Sequence, residues 1–436
     1  MKKLYTLCNK PVNNASLTVF RMVFGFLLAA EGFGAIMTGW VHMVYIKTQF
    51  NFQFFGFEWL DIFHGIPMYA VFVGLGISGL AIAFGYRYRL AMLTYAILWS
   101  ITYLGQKSSY NNHYYLMFLL CWCSVFIPMN ARFSLDVKQG RVKETGHLPF
   151  YLNYFFVAMF AVVYFYASIN KIYPDWLSGR FIKGSMQNKF LMTNSFFNTF
   201  TTKDWYLLLV SYTAILYDGL VIPALIWKKT RKLAIFFSFI FHLYNSVVYQ
   251  VGVFPYMSLS ILLFFASDEW LERMIGKAKV LKHTHTPKMV LSYVAFIAIM
   301  IFHILMPLRH RFIEGNVFYT EEGHRCSWRM MLRNKGGSCY ITVKRANGKS
   351  ERVKMDDLST KQKRLLYKLP DVLYAYVQRI KAKYPPDEEI EIYANVRVSL
   401  NGRKRKILIN KDTDLAKVTW NYFTHNQWIN SYGFEE

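Results

Sequence analysis

The sequence predicts an α-helical multi-pass membrane domain of about nine transmembrane helices, followed by a smaller α+β extracytoplasmic domain. Three observations predict this architecture. Of the 436 residues, 54% are hydrophobic and 18% are aromatic, which is more than a soluble protein of this size would need. The apolar residues cluster into stretches long enough to cross a bilayer. These stretches stop near residue 308, and sequence of alternating polarity follows.

Nine apolar stretches are candidate spans, and several are short enough to indicate tilted or sheltered helices. They cover residues 17–38, 66–85, 90–104, 114–128, 149–170, 205–227, 232–249, 252–266 and 289–307. The first stretch follows a leader that could imitate a signal peptide, but it lacks a small-residue cleavage site, which favours a retained span. In the second stretch, VGLGISG has no strand before it and indicates close helix packing rather than a nucleotide loop.

The basic residues orient these spans. With the N-terminus inside, Lys and Arg concentrate in the inner segments, whereas the outer loops between spans carry fewer over a similar length. The positive-inside rule therefore favours a cytoplasmic N-terminus in a plasma (inner) membrane, and an odd number of spans places the C-terminus outside. Residues 1–307 then form the membrane domain, and residues 308–436 form the extracytoplasmic domain.

The outer domain is expected to be a compact α+β unit. CYITVKRANGKSERVKM reads as two strands around the turn Asn347-Gly348. KQKRLLYKLPDVLYAYVQRIKAKY has helical spacing that Pro370 either starts or interrupts. EIEIYANVRVSLNGRKRKILIN alternates again around Asn401-Gly402.

The net charge of +25 does not indicate nucleic-acid binding, because much of it lies in inner loops that face anionic lipid, and no nucleic-acid motif accompanies it. No metal site is predicted. Cys121 and Cys123 lie inside an apolar stretch without nearby His or carboxylate ligands. Cys326 and Cys339 fall in the outer domain, where an oxidising compartment would permit a disulfide, although the sequence leaves their pairing open.

A lysine stands where the fifth apolar stretch ends, in FYASINKIYPDWLSG (165–179). Lys171 can be an anchor whose stem lies in lipid while the ammonium reaches the interface. It can also be a base near pH 7 if burial keeps the amine neutral. The residues alone leave both interpretations open.

Another polar group precedes the fourth apolar stretch, in SSYNNHYYL. Asn111, Asn112 and His113 can form a polar helix entry, in which an Asn accepts from the first backbone donors. By the predicted topology they also share an outer level with Lys171, so His113 could orient a substrate or relay a proton.

The seventh stretch carries FHLYNSVVYQVGVFPYM, with His242 and Asn245 on one helical face. A histidine within the membrane is costly unless it faces a cavity or a partner, and structural hydrogen bonding explains it as well as catalysis does. Asp218 and Glu31 are open to the same two interpretations, and either could be a counter-ion within the helix bundle.

Together these stretches resemble the vitamin K-dependent gamma-glutamyl carboxylases, in particular the bacterial relatives that share the HTTM membrane domain. SINKIYPDWLSG, NNHYYL and FHLYNSVVYQVGVFPYM each resemble a stretch of that family. In the outer domain YTEEGHRCSWRMMLR, VSLNGR and DTDLAKVTW resemble it too, in the same order. The likeness runs from about the first span to the end of the chain.

The resemblance implies a mechanism and a set of site residues. A lysine at the position of Lys171 deprotonates a reduced vitamin K-type quinone, and oxygen then yields an epoxide by way of a very strong base. That base removes a γ-proton from a substrate glutamate, and carbon dioxide adds to the carbanion. His113 is carried over as a second catalytic residue. The positions carried over as lining of the quinone or glutamate pocket are Asn111, Asn112, His242, Asn245, Trp328, Arg329, Met330 and Met331.

The leading hypothesis is therefore a membrane enzyme that couples oxygenation of a reduced quinone to γ-carboxylation of a glutamate-containing protein or peptide. Its partners would be membrane lipid, the hydroquinone, oxygen, carbon dioxide and that polypeptide, with no metal and no nucleic acid. One alternative is the same quinol chemistry without carboxylation. Another is a non-catalytic lipid- or quinone-binding protein or a transporter, although the chain shows none of the matching halves common in transporters.

Overall fold

A computed structural model describes residues 6–186, 199, 201, 203–278 and 287–433. The N-terminal part is helical, with one two-stranded ribbon of β1 (Pro11–Asn13) and β2 (His147–Pro149). Its helices are α1 (Ala15–Met37), α2 (Pro67–Phe84), α3 (Tyr88–Gly105), α4 (Asn112–Ser124), α5 (Leu135–Lys138), α6 (Phe150–Ile169), α7 (Pro174–Leu177), α8 (Arg180–Met186), α9 (Asp204–Ile226), α10 (Arg231–Tyr249), α11 (Phe254–Ser260), α12 (Asp268–Ile275) and α13 (Pro287–Leu305).

Among the described residues, six helices are long and apolar enough to cross a membrane. They are α1, α2, α6, α9, α10 and the stretch Tyr293–Phe312, in which a 3₁₀ turn continues α13. The other three predicted spans correspond to α3, α4 and the helical run Phe254–Phe265. These helices are shorter or less apolar than the six, so the predicted count of nine is not confirmed.

Small residues bring α1 and α2 into close contact, as VGLGISG predicts. A Cβ atom added at Gly79 of α2 would lie 2.4 Å from the backbone nitrogen of Ala29 on α1. One added at Gly25 of α1 would lie 2.3 Å from the backbone nitrogen of Ala83. Only glycine therefore permits this approach of the two backbones.

The outer part contains α14 (Val317–Thr320), β3 (Lys335–Arg345), β4 (Ser350–Arg352), α15 (Thr360–Lys368), α16 (Pro370–Lys381), β5 (Ile390–Leu400) and β6 (Lys406–Ile407). The four strands form one antiparallel sheet in the order β4-β3-β5-β6. The strand–turn–strand units and the helix start at Pro370 are confirmed. Asn401 has a φ of +50°, a left-handed conformation that asparagine tolerates in tight turns.

Two buried ionic clasps join the outer part to the membrane part. In the first, Asp371 at the start of α16 accepts from Arg325 (3.1 Å) and lies 3.9 Å from the ammonium of Lys107. In the second, Asp175 of α7 accepts from Arg403 (2.7 Å) and from Asn401 (3.0 Å). The second clasp therefore links the stretch after Lys171 to the turn after β5.

The disulfide that the sequence permits between Cys326 and Cys339 does not form. Cys326 and Cys339 are both free thiols. Cys326 packs against the hydrophobic core of the helical bundle, whereas Cys339 packs against the separate core of the outer sheet. Their positions on two different cores keep them apart.

Candidate active site

Lys171 follows the C-terminal end of α6 and turns its side chain back into the bundle. Its ammonium donates to the carbonyl of Ala167 (2.9 Å) and forms a hydrogen-bonded ion pair with Asp218 of α9. The ring of Trp176 lies 5.4 Å from the same nitrogen. Lys171 and Asp218 are each only 6% exposed. The side chain therefore does not reach out to an interface, and the ion pair lies inside the protein.

This ion pair lines an apolar cavity of about 750 Å³. Residues of α9 and α10 form most of its wall, from Tyr206 to Ala224 on α9 and from Leu233 to Tyr249 on α10. Several of these side chains, including Leu216 and Phe237, are largely exposed on the outer surface of the helices. The cavity therefore borders the surface that would face lipid, and its apolar lining suits an apolar molecule.

Histidines supply further polar atoms to this cavity. His242 hydrogen-bonds through Nε2 to the hydroxyl of Tyr164 (2.8 Å), and its Nδ1 is buried without a partner among the described residues. His113 stacks on Phe254 with ring centroids 3.9 Å apart, and its Nδ1 is likewise buried without a described partner. Asn245 lines the same cavity. These free ring nitrogens are available to a bound molecule that carries hydroxyl or carbonyl groups.

A second, polar cavity of about 330 Å³ lies between the bundle and the outer part. Cations outnumber carboxylates in its wall. The cations are Arg309, Arg325, Arg329, Arg333, Lys335 and Lys368, and the carboxylates are Glu321, Glu322 and Asp371. Such a wall favours an anionic ligand.

Most of these charges are already paired, and one buried cation is not. Glu321 pairs with Arg333 and with Lys335 (3.1 Å), and burial lowers the pKa of Lys335 to about 8. Arg329 has no carboxylate within 4.0 Å in the described part of the chain, although it is only 6% exposed. Burial lowers the pKa of Arg329 to about 10, so it stays charged at pH 7. A buried guanidinium without a counter-ion is costly, and a bound carboxylate would relieve that cost.

The two cavities meet at three residues. His113, Met330 and Met331 line both of them, and within the described ranges they are the residues that do so. The apolar cavity with Lys171 and the polar cavity with Arg329 are therefore neighbours that share one wall.

The other predicted site residues fall in several places. Asn111 accepts from the backbone of Tyr114 (2.8 Å) as the cap of α4, and it also lines the polar cavity. Asn112 donates to the backbone carbonyl of Arg329 (2.9 Å). Trp328 lines neither cavity. Its ring packs on Tyr115, with centroids 5.0 Å apart, and belongs to the core of the bundle.

Sequence reasoning did not select several residues that the site contains. Asp218 was recognised as a possible counter-ion, but its partner was not, because the two residues are 47 positions apart. Glu31, the other candidate counter-ion, hydrogen-bonds to the side chain of Tyr114. Glu321 and Arg333 lie in YTEEGHRCSWRMMLR, the stretch that also supplies Arg329, so their charges were the signal that could have identified them.

Two known protein families match this chain. The HTTM domain family matches residues 9–270, which is more than half of the chain. The lumenal domain of vitamin K-dependent gamma-carboxylase matches residues 288–434. The chain is an HTTM protein of the gamma-carboxylase family. No solved structure matches it.

Membership of the gamma-carboxylase family confirms the resemblance seen in the sequence. It makes the chain a carboxylase-like membrane protein whose C-terminal part is extracytoplasmic. The lumenal-domain match begins at residue 288 and so includes α13, whereas the sequence predicts a boundary after residue 307. That boundary stays a prediction.

Proposed function

We propose that this gamma-carboxylase-family protein is a quinol-dependent gamma-glutamyl carboxylase of the plasma (inner) membrane. It takes a reduced vitamin K-type quinone from the bilayer and a glutamate-containing polypeptide from the extracytoplasmic side. The observation that carries the proposal is the contact between two unlike cavities. One is apolar and holds the Lys171–Asp218 pair, the other is polar and cationic, and His113 lies in the wall of both.

In this proposal Lys171 and Asp218 act as one proton-accepting unit. A dry cavity makes separated charges costly, so the ammonium can pass a proton to the carboxylate it contacts. Lys171 then holds a neutral amine, which takes the proton of the quinol hydroxyl. The proton ends on this pair, and the Lys171 ammonium stabilises the oxygen anion that remains. His113 and His242 offer their free ring nitrogens to the same molecule.

The hydroquinone is a substrate that supplies the strong base when it reacts with oxygen. The base takes the γ-proton of the glutamate, and the carbanion adds carbon dioxide to give a second carboxylate. Arg329 binds the glutamate carboxylate and holds its γ-carbon toward the wall shared by the cavities. Met330, Met331 and the asparagines at 111 and 112 border that position.

The decisive experiment uses the purified full chain in lipid nanodiscs. It is supplied with phylloquinol, oxygen, labelled bicarbonate and a glutamate-rich peptide. We expect label in γ-carboxyglutamate together with quinone epoxide, and we expect neither product when the quinol is omitted.

Other outcomes would identify the alternatives. Epoxide without labelled peptide across several glutamate peptides would indicate a quinol epoxidase without carboxylation. Absence of both products, with phylloquinol bound, would indicate a quinone-binding protein without catalysis.

A further inference from the structure

The wall between the two cavities is a short segment with unusual backbone geometry. We call residues 326–332 the partition segment. Cys326, Trp328 and Met331 have φ angles of +60°, +55° and +52°. The left-handed conformation is unfavourable for a non-glycine residue. Three such residues within six positions persist only where their surroundings hold the backbone in place.

Hydrogen bonds from the membrane part hold this segment. The hydroxyl of Tyr110 accepts from the backbone nitrogen of Cys326 (2.7 Å). Asn112 donates to the carbonyl of Arg329 (2.9 Å), and Asn170 donates to the carbonyl of Ser327 (3.0 Å). The hydroxyl of Tyr173 donates to the carbonyl of Leu332.

The four tethering side chains come from two places only. Tyr110 and Asn112 flank the start of α4 next to His113. Asn170 and Tyr173 flank Lys171. The partition segment is thus fixed to both stretches that carry the proposed catalytic residues, so its position is set relative to them.

Within this fixed segment Met330 packs against the edge of the bundle core, whereas Met331 is in no core cluster of the described residues. Trp328 is buried and packs against the ring of His303, with centroids 4.9 Å apart. Met330 is only half-buried and Met331 is 37% exposed, and both face the cavities. A methionine has an unbranched, flexible side chain that changes shape at little cost. The backbone is therefore fixed while the thioethers that separate the cavities can move.

We propose that Met330 and Met331 form a movable apolar partition that couples the two half-reactions. The inference rests on the proposed function. The partition keeps water of the polar cavity away from the strong base formed in the apolar cavity, and it yields when a glutamate side chain binds at the adjacent Arg329. The base then takes the γ-proton of glutamate. Without the partition it takes a proton from water, which leaves hydroxide and yields epoxide without a carbanion.

The test compares carboxylation with epoxide formation in the same assay. Met330→Ala, Met331→Ala and the double variant open the partition, whereas Met330→Leu and Met331→Leu keep an apolar side chain of similar volume. The full chain in nanodiscs receives phylloquinol, labelled bicarbonate and the glutamate peptide. We expect the ratio of carboxylated product to epoxide to fall several-fold in the Ala variants and to stay near the wild-type value in the Leu variants.

A second measurement separates the partition from general damage. Without peptide, wild-type protein should form little epoxide, and the Ala variants should form relatively more of it. Met274→Ala, at an exposed methionine of α12, should leave the ratio unchanged. An unchanged ratio in the Ala variants would overturn the partition while the carboxylase activity stands. A wild-type protein that forms no epoxide would instead overturn the proposed function itself.

Discussion

Three features of the fold define the surroundings of Lys171. It lies at the carboxyl end of α6, its nitrogen donates to a carbonyl of the last turn, and Asp218 pairs with it. To act as a base near pH 7, Lys171 would need burial to keep its amine neutral. The structure adds the carboxylate of Asp218, which the proposed mechanism uses as the acceptor of the lysine proton.

Substitution of Lys171 by arginine separates charge from proton transfer. Arginine preserves the positive charge and the pairing with Asp218, but its guanidinium cannot be deprotonated in a protein. We expect Lys171→Arg and Lys171→Ala both to lower epoxide formation by about 10²- to 10⁴-fold, which is the usual contribution of a general base. The measurement is phylloquinol epoxidation by protein that elutes normally from a sizing column. Near-normal epoxidation by the arginine variant would rule out a base at this position.

Single residues were predictable where their role is local. Asn111 caps α4 because the residue before a helix meets free backbone donors in any fold. The partner of Lys171 was not predictable, because 47 residues separate Asp218 from it and only the packing of α9 on α6 brings them together. Trp328 resembles a site residue by its neighbours in sequence, yet the left-handed backbone at this residue directs its ring into the core.

Among the elements, α1 and α2 show how the bundle is held together without a water-driven hydrophobic effect. Lipid is as apolar as a leucine side chain, so helices in a membrane associate mainly through close packing. Gly79 allows the backbone of α2 to touch that of α1 at Ala29. Gly34 of α1 has open space within 4 Å of its missing Cβ.

These two glycines form a matched pair for mutation. Gly79→Ala places a methyl group against backbone atoms that cannot move aside, and such overpacking costs about 1–3 kcal/mol. Gly34→Ala meets no obstacle and removes a flexible residue from a helix, which should be neutral or slightly stabilising. Thermal unfolding of detergent-purified protein should therefore show a lower Tm for Gly79→Ala alone. Equal Tm values for the two variants would contradict the packing argument.

Elements of the outer part were predictable because strand alternation and Asn-Gly turns are local signals. The transmembrane spans were predicted less well than the strands and turns of the outer part. Hydropathy identifies the six long apolar helices, whereas α3, α4 and Phe254–Phe265 are too short or too polar to stand alone in lipid. Their place depends on neighbours that shelter them, and a window of local hydropathy contains no information about neighbours.

At the scale of the whole molecule, the two ionic clasps hold the outer part over the bundle. The Asp175 clasp joins two stretches, YPDW and SLNGR, that were singled out separately in the sequence. Asp175 sits four residues beyond Lys171, so the clasp also fixes the stretch that ends the apolar cavity.

Removal of the charge at Asp175 should weaken this junction. Asp175→Asn loses charge-assisted hydrogen bonds to Arg403, which contribute about 1.5–3 kcal/mol in total. We expect a lower Tm and faster proteolysis after α13. Glu391→Gln is the control, because its pairing with Lys344 is exposed to solvent and should contribute less than about 1 kcal/mol. Equal losses in the two variants would mean that the clasp does not hold the junction.

The orientation of the whole chain is a separate prediction. The distribution of basic residues predicts a cytoplasmic N-terminus. Nine spans would then place residues 308–436 outside. Reporter fusions at Lys138 and after Glu436 should report opposite compartments, and an insertion at the exposed Lys349 should agree with the C-terminal one. A shared compartment for the Lys138 and C-terminal reporters would overturn both the orientation and the odd number of spans.

For the site as a whole, the sequence pointed to the three membrane stretches and the outer stretch that meet there. It could not show that they enclose two cavities of opposite character. Cavity shape depends on how α9 and α10 lie against α6 and on how the partition segment is tethered. Contacts between residues so far apart in the chain produce no periodic pattern in the sequence.

The Asp175 clasp also constrains the order in which the protein is made. Asp175 leaves the ribosome more than two hundred residues before Arg403, so until Arg403 has been made the buried carboxylate has Arg180, 3.7 Å away, but not its closer partner. The helices of the bundle can insert during this interval, but the stretch beside Lys171 does not yet have its hydrogen bonds to Arg403. A newly made chain therefore completes the junction between its two parts only near the end of translation.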